Sequence, residues 1–124
     1  MESQKNTCEI LLKRAYDASS ATDGYRIYVD RLWPQGLSHE TFKYDWWDKS
    51  ISPSPELRQW FHADPATRWP EFVEKYESEL KENPAFASLQ QVVSQHHVVT
   101  LLYSSHDRVH NTAVVLRDML LLPR

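Results

Sequence analysis

Apolar positions along this chain fall into two rhythms. Three short runs, at about 9–14, 25–30 and 98–104, carry the β-branched and aromatic residues of strands. The third, His97-Val98-Val99-Thr100-Leu101-Leu102-Tyr103, is almost continuously apolar, the pattern of a strand covered on both faces. From residue 54 the rhythm becomes helical. Ser54-Pro55, Asp64-Pro65 and Asn83-Pro84 each set a capping side chain before a proline at the first helical position. After Asp64, residues Trp69, Phe72, Val73, Tyr76 and Leu80 recur on one face, while Glu71, Glu74, Glu77 and Glu82 occupy the other. Glu71 with Lys75, and Glu77 with Lys81, are i,i+4 pairs in the favourable order, so that charged face reads as solvated. Pro70 falls near the first turn and moves the expected start of this helix to about Arg68. A third helix runs through Phe86, Leu89 and Val92 or Val93. A last one, about 111–121, is apolar on most sides and is expected to pack against the sheet.

Two connections remain. Residues 16–24 are small and polar and read as a loop. The segment 31–53 is long, holds Trp33, Trp46 and Trp47, and is broken at most by a short helix after Ser38. Long connections in compact domains are functional or disordered, and three tryptophans argue against disorder. The order β–β–long segment–α–α–α–β–α predicts an α/β fold. It is a small single-domain sheet of about three to four strands, at least partly parallel, packed by about four helices in two or three layers. At 124 residues the whole chain, 1–124, makes one domain.

Composition narrows the function classes. A hydrophobic fraction of 41% suits a folded globule. A net charge of −3 and a pI near 6.0 supply no general attraction to nucleic acid or to an anionic membrane. No apolar run approaches the roughly 20 residues that span a bilayer, and the polar start lacks a signal peptide's apolar core. Cys8 is the sole cysteine, which excludes an intrachain disulfide and fits a reducing compartment, so the cytoplasm is the expected location. Nothing near Cys8 in sequence would lower its pKa, and it is assigned no catalytic role. With only Gly24 and Gly36, the chain cannot contain a dinucleotide fingerprint, a Walker loop or a Gly-x-Ser-x-Gly elbow.

Candidate chemistry gathers where the second strand ends, in Asp30-Arg31-Leu32-Trp33-Pro34-Gln35-Gly36. In open α/β sheets ligands bind beyond the strands' carboxyl ends. Arg31 suits a bidentate hold on a carboxylate or phosphate, and Asp30 suits a catalytic base or an orienting group. Neighbours on a strand point to opposite faces, so one of the two would face a cleft while the other anchors the long segment. The competing reading is that both tie down that segment through buried hydrogen bonds. Trp33, just past the strand end, is placed to stack on a flat ligand.

A second constellation, 104–112, lies between the last strand and the last helix. There the helix's free N–H groups form an anion site, with Ser104 or Ser105 as added donors. For Asp107 or Asn111 the N-cap alone is the leading single role. His106 and His110 are four apart, a weak metal signal on their own, and His96-His97 is no stronger; no metal ligand and no cofactor is assigned. Arg26, Arg58 and Arg68 complete the cations near a cleft, and Arg58, beside Trp60 and Phe61, reads as a packing element.

Several blocks carry a resemblance. They are Lys13-Arg14-Ala15-Tyr16-Asp17, Asp23-Gly24-Tyr25-Arg26, Val29-Asp30-Arg31-Leu32-Trp33-Pro34, Ser52-Pro53-Ser54 with Glu56-Leu57-Arg58, Tyr76 with Glu79-Leu80, Leu101-Leu102-Tyr103, and Asn111 with Ala113-Val114-Val115-Leu116. Over nearly the whole length the chain resembles the YeaO-like family of small bacterial proteins, a domain of unknown function. The resemblance implies a compact bacterial cytoplasmic α/β domain and names no substrate. Two departures stand out: the family usually has Arg where this chain has Gln35, and His where it has Thr112. A cation and a titratable group are thereby missing. By residue match Asp30, Arg31, Trp33 and Asn111 remain the best candidates, while His106 and Asp107 fit the family pattern less well. The expectation is a site for a small anionic or polar metabolite, with Arg31, Trp33, Asn111 and Ser104 as binding residues and Asp30 as the catalytic candidate. The alternative is a non-enzymatic interaction or regulatory module using the tryptophan-rich segment 31–53. Exposed tryptophans would mark an interface, shielded ones a core or pocket wall.

Overall fold

The architecture follows from the strand Val98–Tyr103 (β4). Alternate side chains of a strand take opposite faces, and here both faces are covered. Val99, Leu101 and Tyr103 join the main core, Leu102 joins a second, smaller one, and all four are at most 2% exposed. In the computed structural model, which describes residues 8–122, β4 lies between β1 (Glu9–Arg14) and β2 (Tyr25–Tyr28). A two-residue strand, β3 (Trp46–Trp47), pairs with β2. The order is β1-β4-β2-β3 and every pairing is parallel. The expected α/β sheet is therefore present. β3 went unseen in the sequence because two residues are too few for alternation to register.

The α-helices cover one face only. They are α1 (Pro55–Ala63), α2 (Pro65–Glu82), α3 (Pro84–Ser94) and α4 (Thr112–Leu121). Leu57, Phe61, Phe72, Tyr76, Leu80, Leu89 and Leu116 pack over Ile27, Val29, Val99 and Leu101. Two of the three Xaa-Pro caps behave as expected: Ser54 accepts from the Leu57 N–H at 3.2 Å and Asn83 from the Ala85 N–H at 2.9 Å. Asp64 does not cap α2 with its side chain, which instead accepts from the Thr67 hydroxyl at 2.6 Å. Nor does Pro70 delay the helix to Arg68. The Asp64 carbonyl already accepts from the Arg68 N–H at 3.1 Å, and Pro70 removes only one hydrogen bond, to a carbonyl on an exposed turn. Residues 38–42 form a single turn rather than a short helix.

The other face is covered by coil. Tyr28 and Leu102 meet Ala15 and Phe42, with Trp33, Leu37, Tyr44 and Trp47 around them. The three tryptophans of the long segment are thus half-buried: Trp46 against the main core, Trp33 and Trp47 in the smaller one. The Trp47 indole N–H donates to the Asp30 carbonyl at 2.7 Å and that of Trp33 to the Leu37 carbonyl at 2.6 Å.

The crossover from β1 to β2, residues 15–24, also lies on this face. Its anchor is Asp23, 1% exposed, whose carboxylate pairs with Lys13 at 2.8 Å and with Arg26 and accepts from the Ser20 N–H at 3.0 Å. Arg26 further donates to the Lys43 carbonyl at 2.8 Å. Gly24 then turns at φ 68°, where a Cβ would sit 2.2 Å from the Val98 carbonyl oxygen, so only glycine fits.

Candidate functional site

Parallel pairing brings the carboxyl ends of β1, β2 and β4 to one edge, with Arg14 opposite Tyr103 and Tyr28 opposite Leu102. A cleft of about 1130 Å³ opens there. Asp30, Arg31, Trp33, Ser104 and Asn111 all line it, joined by Arg14, Arg58 and His62. The expected division of roles holds in part, since Arg31 anchors the long segment at the Pro53 carbonyl, but Asp30 and Arg31 do not take opposite faces. β2 stops at Tyr28, so strand alternation no longer governs residues 30 and 31, and both reach the cleft.

Asp30 links two strand ends. Its Oδ2 accepts from both the backbone N–H and the hydroxyl of Ser104, at 2.8 and 2.9 Å. Its Oδ1 has no hydrogen-bond partner among the described residues. Burial pushes the Asp30 carboxyl above the usual carboxylate range, against the pull of the Ser104 bonds and of Arg58 and His62. The same burial, with Arg58 adding to it, holds the His62 imidazole below its ordinary value, and Asp30 works the other way.

The arginines differ from one another. Arg31 donates through Nη2 to the Pro53 carbonyl at 3.3 Å, while its Nε is buried with no partner. A buried donor left open costs on the order of 1–3 kcal/mol, and the one hydrogen bond of this guanidinium leaves further donors unused by any described residue. The Arg58 guanidinium makes no hydrogen bond or ion pair with any described residue. It is not the aromatic packing element expected: Arg68 lies over Trp60 at 4.9 Å and donates to its carbonyl at 2.6 Å. Arg68 therefore joins α1 to α2, and Arg26 is committed to Asp23; neither serves the cleft. Arg14 is committed too, donating to the carbonyls of Ser105 at 2.8 Å and Ser104 at 3.2 Å.

Those bonds hold the loop 104–111 as a preformed wall. Both Arg108 nitrogens meet the Asp17 carboxylate at 2.9 Å, and this pairing leads in holding Asp17 down to about 2. Asp107 accepts from the Val109 and His110 N–H groups at 2.9 Å, bonds that keep its carboxyl low. Asn111 is the N-cap of α4. Its Oδ1 accepts from the Val114 N–H at 3.0 Å and its Nδ2 donates to the Asp107 carbonyl at 2.8 Å, so both ends of its amide are engaged. Trp33 is likewise engaged, with His39 against its ring at 4.0 Å and Phe42, Tyr44 and Trp47 around it. It is a wall of the cleft. His106 and His110 are on the loop, not on one helical face, and among the described residues no three His, Cys, Asp or Glu side chains form a metal ligand set. No described helix is long and apolar enough to cross a membrane.

Arg58 and His62 carry more of the cleft's chemistry than the sequence suggested. Their signal was available: they are i,i+4 on α1, hence on one face. Arg14 ends β1 as Asp30 follows β2, so the strand-end rule covers it as well. Gln35 and Thr112, the two departures from the family pattern, both line the cleft. The Gln35 carbonyl accepts from the Tyr16 hydroxyl at 2.7 Å, and Thr112 opens α4.

Comparison with known proteins places these residues in context. The profile of a family described as the inactive DUF488-N3 subclade matches residues 9–123. The uncharacterised protein YeaO of Escherichia coli K12 is 40% identical over 111 residues, 90% of this chain and 96% of that protein. The uncharacterised proteins Mb3100c of Mycobacterium bovis and Rv3073c of Mycobacterium tuberculosis are each 33% identical over 111 residues, 90% of this chain and 92% of theirs. No solved structure matches.

Proposed function

The chain belongs to the inactive DUF488-N3 subclade, and we propose that it binds a small anionic ligand in the cleft at the strand carboxyl ends without turning it over. One observation carries the reading: Arg31 and Arg58 present guanidinium donors that no described residue uses, in a cleft preformed by the 104–111 loop. The lining holds Arg14, Arg31 and Arg58 against Asp30 and Asp107, in a chain whose net charge is −3. The start of α4, at Thr112, adds the positive end of a helix. An anion between the two open guanidiniums would replace water with charge-assisted hydrogen bonds. Binding without turnover is favoured because the lining holds Gln35 and Thr112 where the YeaO-like resemblance implies an arginine and a histidine, and because the family is described as inactive. The half-buried tryptophans support their role as walls of the domain rather than as a contact surface.

The test is a thermal-shift screen of phosphate, sulfate and small carboxylates at low ionic strength, on the native chain, Arg31→Ala and Arg58→Ala. The expected result is a concentration-dependent rise in Tm for the native chain that both variants lose. Equal shifts in all three proteins, or none in the native chain, would refute the proposal.

A further inference from the structure

Resting on that reading, we infer that the ligand is an oxyanion, phosphate or carboxylate, that carries a hydroxyl or ammonium group beside its acid group, and that Asp30 reads this donor. The cleft is not uniformly positive. Between the ends of β2 and β4, Asp30 is held by two donors from one residue, Ser104, and both go to a single oxygen, Oδ2. That arrangement fixes the plane of the carboxylate and leaves Oδ1 as an acceptor without a partner among the described residues, in the same lining as Arg31 and Arg58. Arg58 is near enough to pull the Asp30 carboxyl downward, so an anion held by Arg58 comes to rest close to a second negative group.

With two Ser104 donors holding Asp30 as a carboxylate, two bare anions cannot share that space cheaply; a hydrogen must stand between them. A neutral hydroxyl or a charged ammonium on the ligand supplies it, donating to Oδ1 while the neighbouring acid group takes the arginine donors. His62, His106 and His110 also line the cleft, and so does Asp107, but Asp107 spends one oxygen on the backbone of its own loop and pairs through the other with His110 at 3.3 Å. Asp30 is therefore the carboxylate with an open acceptor next to the open arginines. An amide in its place would have the opposite sense. With the carbonyl oxygen kept by the two Ser104 donors, the NH₂ of Asp30→Asn would turn into the cleft and donate.

Titration calorimetry at neutral pH on two matched pairs tests this: ethyl phosphate against hydroxyethyl phosphate, and propionate against lactate. The native chain should bind the hydroxylated member of at least one pair about tenfold tighter, the effect of one hydrogen bond to a charged group. The pair that responds tells phosphate from carboxylate. In Asp30→Asn the preference should vanish or reverse, with the bare anion gaining affinity, while Arg58→Ala should weaken both members alike. Binding of both members with equal affinity, or a preference that survives Asp30→Asn, would overturn this inference and leave the anion site standing. Failure of all four compounds and of inorganic phosphate to bind would overturn the anion site and this inference together.

Discussion

Two charged clusters flank the short strand β2, and they are built on opposite terms. At the start of the strand, Asp23, Lys13 and Arg26 form a closed set: the carboxylate meets both cations, Lys13 also donates to the Ala18 carbonyl at 3.0 Å, and Arg26 to that of Lys43 at 2.8 Å. Beyond the strand, Asp30, Arg31 and Arg58 form an open set, with one carboxylate oxygen, one buried Nε and one whole guanidinium left without protein partners among the described residues. The charges are the same, one carboxylate and two cations in each. The difference is that the coil crossover seals the first cluster against the sheet, whereas the second faces a cleft. Closed charges fasten a face that no described α-helix covers; open charges at strand ends keep their capacity for something else.

The comparison breaks most readily at Asp23. Asp23→Ala would leave two cations uncompensated, one of them buried, and should cost about 3–5 kcal/mol in urea denaturation. A loss below about 1 kcal/mol would mean that the crossover is not held by charge. Asp48 sharpens the contrast from another side. It is 5% exposed, its Oδ2 is buried without a partner, and it lies outside the cleft. Burial raises its carboxyl to about 6, against 3.8 for a free aspartate. Between those values the native state holds the proton more tightly than the unfolded chain, so stability should fall as pH rises from about 4 to about 6 and stay lower above that. Asp48→Asn should remove this slope and add about 1–2 kcal/mol at pH 7 while changing little at pH 4; denaturation midpoints across that range decide it. Ser104→Ala deletes the hydroxyl bond to Asp30 and keeps the backbone one, for a loss of about 1 kcal/mol. Arg58→Ala should change stability least, within about 0.5 kcal/mol, since its guanidinium holds no described residue in place. It should nonetheless weaken anion binding by about tenfold.

How much of this was written in the sequence varies by element. The strands expected at 9–14 and 98–104 and the helices opened by Ser54-Pro55 and Asn83-Pro84 follow from local periodicity and capping and stand within a residue of where that logic puts them, whereas α2 starts at Pro65 rather than Arg68 and is not capped by the Asp64 side chain. β3 and the true end of β2 do not. Both depend on the pairing of Ile27 with Trp46 and Tyr28 with Trp47, a contact between segments far apart in the chain. The cleft's position was legible from the strand end at Asp30-Arg31. The separate fates of its residues were not. Asn111 and Trp33 prove to have their polar groups engaged, the Arg58 guanidinium has no partner among the described residues, and Arg26 proves sealed, because partner satisfaction is decided by tertiary neighbours.

The most direct test of an open cluster beside a closed one is to observe arginine Nε–H resonances by NMR while inorganic phosphate is added at low ionic strength. Those of Arg31 and Arg58 should shift together and saturate, while that of Arg26 stays fixed. Signals of Arg31 and Arg58 that remain as still as that of Arg26 would contradict the account.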